Sequence, residues 1–437
     1  MTAPTEEAPS PSTENPPAAA TSGAFLDFLD LDAAGAVTST PSKGRKRSTW
    51  WRIGFPISLV LLFLAIPALV YIGFHVVLDS NHGRLISSAS DPTLPGWEAA
   101  VTPTPTDVLA TVNGDGQLSS VAVLALTNDR AGTVLLVPAD TQIPDTAGYK
   151  TMVDAYATGG PTGLKTALEA VLKVDVGDVQ VADAAKWDAL VAPVGTLTVA
   201  NPDSVQANDQ NFPRGSIDLT PAQVAPYLRT RNYGEDDTNR LLRQEAFWRA
   251  WLAQVAAKGP DSVPGESGSG TGKFVRALAG GQVTYQVLPV KVQARTDAFA
   301  GVFVPITDQV APVVAQAVPF PAAAPAGSRP RLRVLDGTGQ LDHGVNAAVS
   351  LAAAGGQVDG IGNASNFTVP TTQIIITSED QRANAEIMQK ALGAGDIVMS
   401  NDTSDSVDIT VILGADALNL PATRSGSGTG QTGTTGG

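Results

Sequence analysis

The pattern of apolar and polar residues changes character several times along the chain. The first 42 residues are rich in Pro, Ala, Ser and Thr and have no apolar period, which predicts a disordered tail. Ala24–Asp32 interrupts it by alternating apolar and acidic residues, and is read as a few sticky positions within that tail. A basic cluster follows (Lys43, Arg45, Lys46, Arg47, Arg52), and then an uncharged apolar run from Ile53 to Leu78. A run of about 20 such residues spans a bilayer as a helix. The expectation is therefore one transmembrane helix within 43–78, with the N-terminus held in the cytoplasm by the basic flank and everything later outside. Residues 79–106 are broken by Pro and Gly and predict a stalk.

Beyond the stalk the period shortens. Ser120–Leu126 and Thr133–Val137 predict two neighbouring core strands joined by a turn at 128–132. Pro138–Thr141 follows the second strand directly, which puts Asp140 and Thr141 at a strand end, where ligand-contacting groups often sit. Gly159–Pro161 marks a helix start, with Leu164, Ala167, Leu168, Val171 and Leu172 at helical spacing. Short strands are expected at 179–182 and 195–199, and a short helix at 184–192. Thr220 and Pro221 predict the cap and first position of a helix, and 241–257 a longer one. Together 107–310 reads as one α/β domain, a mixed sheet flanked by helices. A Pro/Ala linker is expected over 311–330. Residues 331–418 alternate as β-α-β-β-α-β-β, a small α/β sandwich, and 419–437 is a Gly/Thr/Ser tail expected to be mobile.

Composition narrows the chemistry. A net charge of -14 argues against nucleic acid as a partner. The absence of cysteine excludes disulfides, thiolate catalysis and sulfur-ligated zinc. With only three scattered histidines, a histidine-based metal site or triad is disfavoured. Gly337-Thr-Gly339, between a strand and a helix, fits a tight turn better than a phosphate cradle.

Against this acidic background one stretch stands out. Tyr227–Trp251 carries Arg229, Arg231, Arg240, Arg243 and Arg249, with Glu235, Asp236 and Asp237 among them. Arginine makes forked contacts to phosphate oxygens. It also pairs with carboxylates along a solvated helix face. The residues alone leave both readings open.

The string Arg229-Thr-Arg231, Asp237-Thr-Asn-Arg240, Arg243-Gln244 resembles the LytR-CpsA-Psr (LCP) family. The YATGGP turn, the strand leading into Pro138–Thr141 and the N-terminal anchor fit the same family. The last unit, with RLRVLDGTGQ and DITVILGADAL, resembles the LytR C-terminal domain of actinobacterial members. The resemblance implies a phosphotransferase outside the membrane that moves a glycopolymer from a polyprenyl-pyrophosphate carrier to the cell wall. In that chemistry Mg2+ neutralises the pyrophosphate and an apolar cleft holds the lipid. The residues it assigns are Asp237 and Arg240 for catalysis and Arg229, Arg231, Arg240, Arg243 and Gln244 for the phosphate. The metal ligands stay unassigned.

Three departures change this picture. The family's acid-arginine loop after its first strand has no counterpart before Gly114. Its Arg-x-Asp-Thr, which supplies metal carboxylates, aligns with Gln117-Leu118-Ser119-Ser120. The arginine of its Pro-Arg-Asp-Thr is Ala139 here. The expectation is thus a membrane-anchored pseudoenzyme of the cell envelope. It would bind a polyprenyl-(pyro)phosphate-linked glycopolymer precursor or an assembly partner with little or no catalysis. An active phosphotransferase that needs Mg2+ and a purely structural envelope domain are the alternatives.

Overall fold

The computed structural model describes residues 80–81, 84–85 and 91–418, apart from 129–130, 145–149, 208, 234, 236, 294–301, 341 and 402–406. The expected N-terminal tail with its Ala24–Asp32 island, the basic flank, the apolar run 53–78 and the C-terminal tail lie outside the described residues.

The expectation of a transmembrane helix is corrected. Among the described residues no helix is long and apolar enough to cross a membrane. Two helices have the length, Met152–Leu172 with 21 residues and Asp237–Lys258 with 22. The first carries Asp154, Lys165 and Glu169 and kinks at Gly160, and the second carries arginines on its buried face. The single-pass topology, and the membrane partnership and cell-membrane location expected from it, find no support in any helix among the described residues. What stands is a mixed α/β core of sheets and helices.

The first domain is built on strands β2 (Thr106–Val112), β3 (Leu118–Asn128) and β4 (Ala131–Val137), which follow a short strand β1 (Glu98–Ala100). With β5 (Val179–Ala182) and β10 (Gln282–Val287) they form a five-stranded sheet in the order β10-β4-β3-β2-β5. The β2-β3-β4 meander is antiparallel, and both outer strands run parallel to their neighbours. Nearly unbroken apolar runs fit this arrangement, because both sheet faces are covered. Leu109, Ala122, Leu124 and Leu136 point to one core, and Val108, Val121, Val123 and Val137 to the other.

The second core is covered by α1 (Met152–Leu172). That helix starts earlier than Gly159–Pro161 suggests. Thr151 and Asp154 form a reciprocal capping box, with the Thr151 N–H donating to Asp154 Oδ2 at 2.8 Å. The glycine signal is still physical: Gly160 adopts φ 58°, ψ −145°, and Pro161 restarts the helix after this break.

The first core is closed by α2 (Ala184–Val191), α3 (Pro221–Arg229), α4 (Asp237–Lys258) and α5 (Gly270–Ala279). Between α2 and α3 run β6 (Leu197–Asn201), β7 (Val205–Ala207), β8 (Gln210–Phe212) and β9 (Gly215–Leu219). They pair as two antiparallel ribbons, β6 with β9 and β7 with β8. Trp187, Phe247, Trp248 and Trp251 meet with ring centroids 5.2–6.4 Å apart, so α2 and α4 are locked by one aromatic cluster.

After β10 come β11 (Val290–Gln293), β12 (Val302–Pro305) and α6 (Thr307–Ala317). The second domain follows: β13 (Arg331–Asp336), α7 (His343–Ala353), β14 (Gln357–Asn363), β15 (Gln373–Ile376), α8 (Arg382–Leu392), β16 (Asp396–Met399) and β17 (Ile409–Leu413). The β-α-β-β-α-β-β alternation read from the sequence is the alternation observed. The sheet order is β16-β15-β17-β13-β14-β1, so a strand from the Pro-rich stretch before the first domain completes the sheet of the second. Gly362 permits it, since a Cβ there would lie 2.3 Å from the Trp97 carbonyl oxygen. Arg333 then grips Glu98, Nη2 to Oε2 at 2.6 Å.

Candidate functional site

The site is the N-terminal half of the buried face of α4. Asp237, Arg240, Leu241, Arg243, Gln244, Phe247, Trp248, Trp251, Leu252 and Val255 are buried, which is one stripe at helical spacing. Its last two-thirds are aromatic and aliphatic and belong to the core. Its first two turns are polar. A helix does not bury two arginines without acceptors, and the acceptors are specific.

The C-terminus of α3 supplies one set. Its last carbonyls have no partner within the helix, and cations are favoured at that pole. Gln244 Nε2 donates to the Leu228 carbonyl at 3.1 Å, and Arg240 Nη1 to the Arg229 carbonyl at 3.2 Å. Arg243 Nη2 donates to the Thr230 carbonyl at 2.9 Å. Three side chains of the R-x-x-R-Q string thus cap three successive carbonyls.

Carboxylates supply the other set. Arg243, whose side chain is 0% exposed, pairs through Nη1 with Asp203 Oδ2 at 2.6 Å and with Glu235 Oε1 at 3.0 Å. Arg240 Nη2 reaches both oxygens of the fully buried Asp237, at 2.6 and 2.8 Å. Burial pulls the Arg240 guanidinium below its ordinary range, and Asp237 offsets this.

Arg231 is held differently. Its side chain is 30% exposed, and one nitrogen, Nη1, lies between two carboxylates: Asp140 Oδ2 at 3.3 Å and Asp237 Oδ1 at 3.5 Å. Both contacts are long for charge-assisted bonds. Asp140, 28% exposed, closes the site from the end of β4. Burial raises the Asp140 carboxyl above its usual range, and the charge of Asp237 pushes it further. Arg231 and Arg240 work against that rise.

The residues singled out in the sequence therefore separate. Arg231, Asp237 and Arg240 come together with Asp140. Arg243 and Gln244 face the capped carbonyls and the Asp203–Glu235 pair. Arg229 is half-buried, with no ion pair among the described residues, and Thr141 is buried with its hydroxyl on the Pro138 carbonyl at 2.7 Å. Arg249 lies outside the cluster, paired with Glu245 and 4.0 Å from the Tyr285 ring centroid. Sequence reasoning missed Asp203, which sits in the turn after β6, 40 residues from its partner. The one signal for it is an acid in an Asn-Pro-Asp-Ser turn.

Among the described residues no three His, Asp or Glu side chains converge as a metal site. A divalent cation fits poorly here. The two acids beside Arg231, Asp140 and Asp237, both already face guanidinium groups. Leu118, Ser119 and Ser120 are buried in β3, and Ala139 is buried beside Asp140. A cavity of about 440 Å³ lies between α4 and β6, lined by Thr198, Ala200, Pro202, Leu242, Ala246 and others, none of them from the cluster.

In the second domain the Gly337-Thr-Gly339 turn is spent on its own strand end. Asp336 accepts from the Thr338 N–H at 3.0 Å, the Thr338 hydroxyl at 2.7 Å and the Gly339 N–H at 2.9 Å. The N–H groups a phosphate would use are occupied, as a tight turn requires.

Comparison with known proteins matches these two domains separately. The model of the LytR_cpsA_psr family matches residues 120–261. The model described as LytR cell envelope-related transcriptional attenuator matches residues 329–416. No curated protein matches the chain. Among solved structures the chain is similar to the Lin1025 protein from Listeria innocua, at 19% identity and a TM-score of 0.36, over 49% of this chain and 97% of that one. It is also similar to B. subtilis TagV, at 17% identity and a TM-score of 0.39, over 49% of this chain and 95% of that one. For B. subtilis TagT the identity is 16% and the TM-score 0.38, over 52% and 91% of the two chains. These scores are too low to bear on the site.

Proposed function

Since the chain belongs to the LytR-CpsA-Psr family, we propose that it is a cell-envelope protein that binds a phosphate-bearing glycopolymer, with Arg231 as the residue that receives the phosphate. We further propose that it is of the actinobacterial type and that its LCP site has lost the metal-dependent half. The observation that carries this reading is the unequal treatment of the arginines. Arg240 and Arg243 are buried, and their Nη groups are held by carboxylates and carbonyls at short range, while the Nε of each is buried where no ligand reaches it. Arg231 alone combines solvent access with two long, replaceable contacts. A phosphate oxygen offers a shorter and better-aligned acceptor than either. Arg229 is the second candidate arm. Support for loss of catalysis comes from buried Leu118, Ser119, Ser120 and Ala139 at the positions where the family places acids and an arginine. Phosphoryl transfer rests on positioning and neutralisation of charge, and the proposed losses, the metal carboxylates and the arginine at Ala139, fall on the second.

The test is a titration of the full chain with inorganic pyrophosphate, followed by calorimetry and 31P NMR. Wild type is expected to bind, and Arg231→Ala to weaken binding by about tenfold or more, the value of one charged hydrogen bond. Arg249→Ala, outside the cluster, is expected to bind as wild type does. Equal binding by wild type and Arg231→Ala would refute the assignment. Turnover of pyrophosphate on adding Mg2+ would refute the loss of catalysis.

A further inference from the structure

One guanidinium nitrogen between two carboxylates is an unusual use of a partly exposed arginine. Among the described residues, Nη1 of Arg231 is the one cationic atom paired with both Asp140 and Asp237, at 3.3 and 3.5 Å. These acids come from distant parts of the chain, one from the end of β4 and one from the first turn of α4. They are close enough for the charge of Asp237 to disfavour ionisation of Asp140. Two acids that converge from separate elements stay ionised together only with a cation near them; otherwise one of them holds a proton. In a site of this outline a divalent ion is the usual choice, held by one or two carboxylates and the phosphate itself.

We infer that Arg231 is a tethered cation that stands where a divalent ion would bridge Asp140 and Asp237, so that the site engages phosphate without metal. The charges support this. Asp140 and Asp237 are two carboxyl groups, and they face two guanidinium groups, Arg231 and Arg240. A divalent ion entering beside Arg231 would meet a guanidinium at contact distance and find Asp237 already gripped through both oxygens by Arg240. The guanidinium differs from a metal in reach: it is attached by a flexible stem and can turn one edge to the acids and another to a ligand. The identity of the phosphate ligand rests on the proposed function. The exclusion of metal by Arg231 does not.

The experiment has two arms on the full chain. In the first, Mn2+ alone is the probe, read by electron paramagnetic resonance. Wild type is expected to hold no Mn2+ at this site. Arg231→Gln removes the charge but keeps a polar side chain, and is expected to gain a Mn2+ site at least tenfold tighter than any in wild type, lost again when Asp140→Asn is added. Arg231→Lys restores a tethered cation and is expected to remain without Mn2+. Thermal melts of each variant show whether the fold persists. Mn2+ binding by wild type that Asp140→Asn abolishes would overturn the inference, as would a folded Arg231→Gln with no gain. In the second arm, pyrophosphate affinity of wild type is compared in Mg2+ and in EDTA. Equal affinity supports the inference, and binding only with Mg2+ overturns it while leaving the proposed function intact. No binding in either buffer defeats the proposed function, and the Mn2+ arm still decides the role of Arg231.

Discussion

Two halves of the same arginine string are built from the same residue types within about a dozen positions, and they do different work. In the buried half, Arg240 and Arg243 have short contacts to acids and cap the carbonyls that α3 leaves unpaired. In the open half, Arg231 makes only long contacts and keeps solvent access. The difference lies in what surrounds each guanidinium. Once an arginine is buried among fixed acceptors its charge is consumed by the fold, and a ligand gains nothing from it. A motif rich in arginine can therefore be half scaffold and half site.

The comparison breaks most visibly at Arg243. Replacing it by alanine leaves Asp203 and Glu235 without their cation and exposes the end of α3, so a loss of about 3–5 kcal/mol in unfolding free energy is expected by urea denaturation. A loss below about 1 kcal/mol would mean that the buried half is not structural. Asp107 sharpens the rule from the acid side. It is buried like Asp237, but its partner is the Thr271 hydroxyl at 2.9 Å, and burial pushes its carboxyl up to about 6. Because its folded value lies above the unfolded one, the folded state holds the proton more tightly. Stability from this group is present below about pH 4 and is lost as pH rises through about 6. Asp107→Asn, which mimics the protonated acid, is expected to raise Tm at pH 7.5 by an amount equivalent to at most about 3 kcal/mol, and to make no difference near pH 4. A Tm gain of the same size at both pH values would show that its charge is not the cause. The smallest effect concerns the open half. Asp140→Asn frees Arg231 from one acid and is expected to strengthen pyrophosphate binding by about fivefold, on the order of 1 kcal/mol. Acidification should do the same in wild type, since the raised Asp140 carboxyl takes its proton early, and the variant should lose that pH dependence. Weaker binding by Asp140→Asn would place Asp140 among the groups that hold the ligand.

Much of the fold was legible in the sequence, for local reasons. Continuous apolar runs at 120–126 and 133–137 mark strands buried on both faces, and the whole alternation of the second domain follows from period and turn residues. The start of α1 was misplaced because the Thr151–Asp154 box is a weaker visual cue than Gly159-Gly160-Pro161. The spacing 240, 243, 244 was visible as a motif, whereas its use as a cap for α3 was not. The partner of a charge leaves no mark near it: Asp140 is 91 residues from Arg231, and Asp203 is 40 from Arg243. The apolar run 53–78 gave the strongest membrane signal, yet among the described residues none of the helices crosses a membrane. The two of sufficient length carry charges, Asp154, Lys165 and Glu169 in one and buried Asp237, Arg240 and Arg243 in the other.

The strand Glu98–Ala100 has a consequence for how the two domains are related in the chain. It belongs to the sheet of the second domain but precedes the whole of the first. The connecting segments on either side of the first domain also bond to each other, with the Thr104 N–H on the Phe320 carbonyl at 2.8 Å. The first domain is therefore a guest, inserted between one edge strand of its host and the rest. A host of this kind cannot be completed until the guest has been synthesised, and a cut just before Arg331 would remove its edge strand and bare the hydrogen-bonding groups of β14.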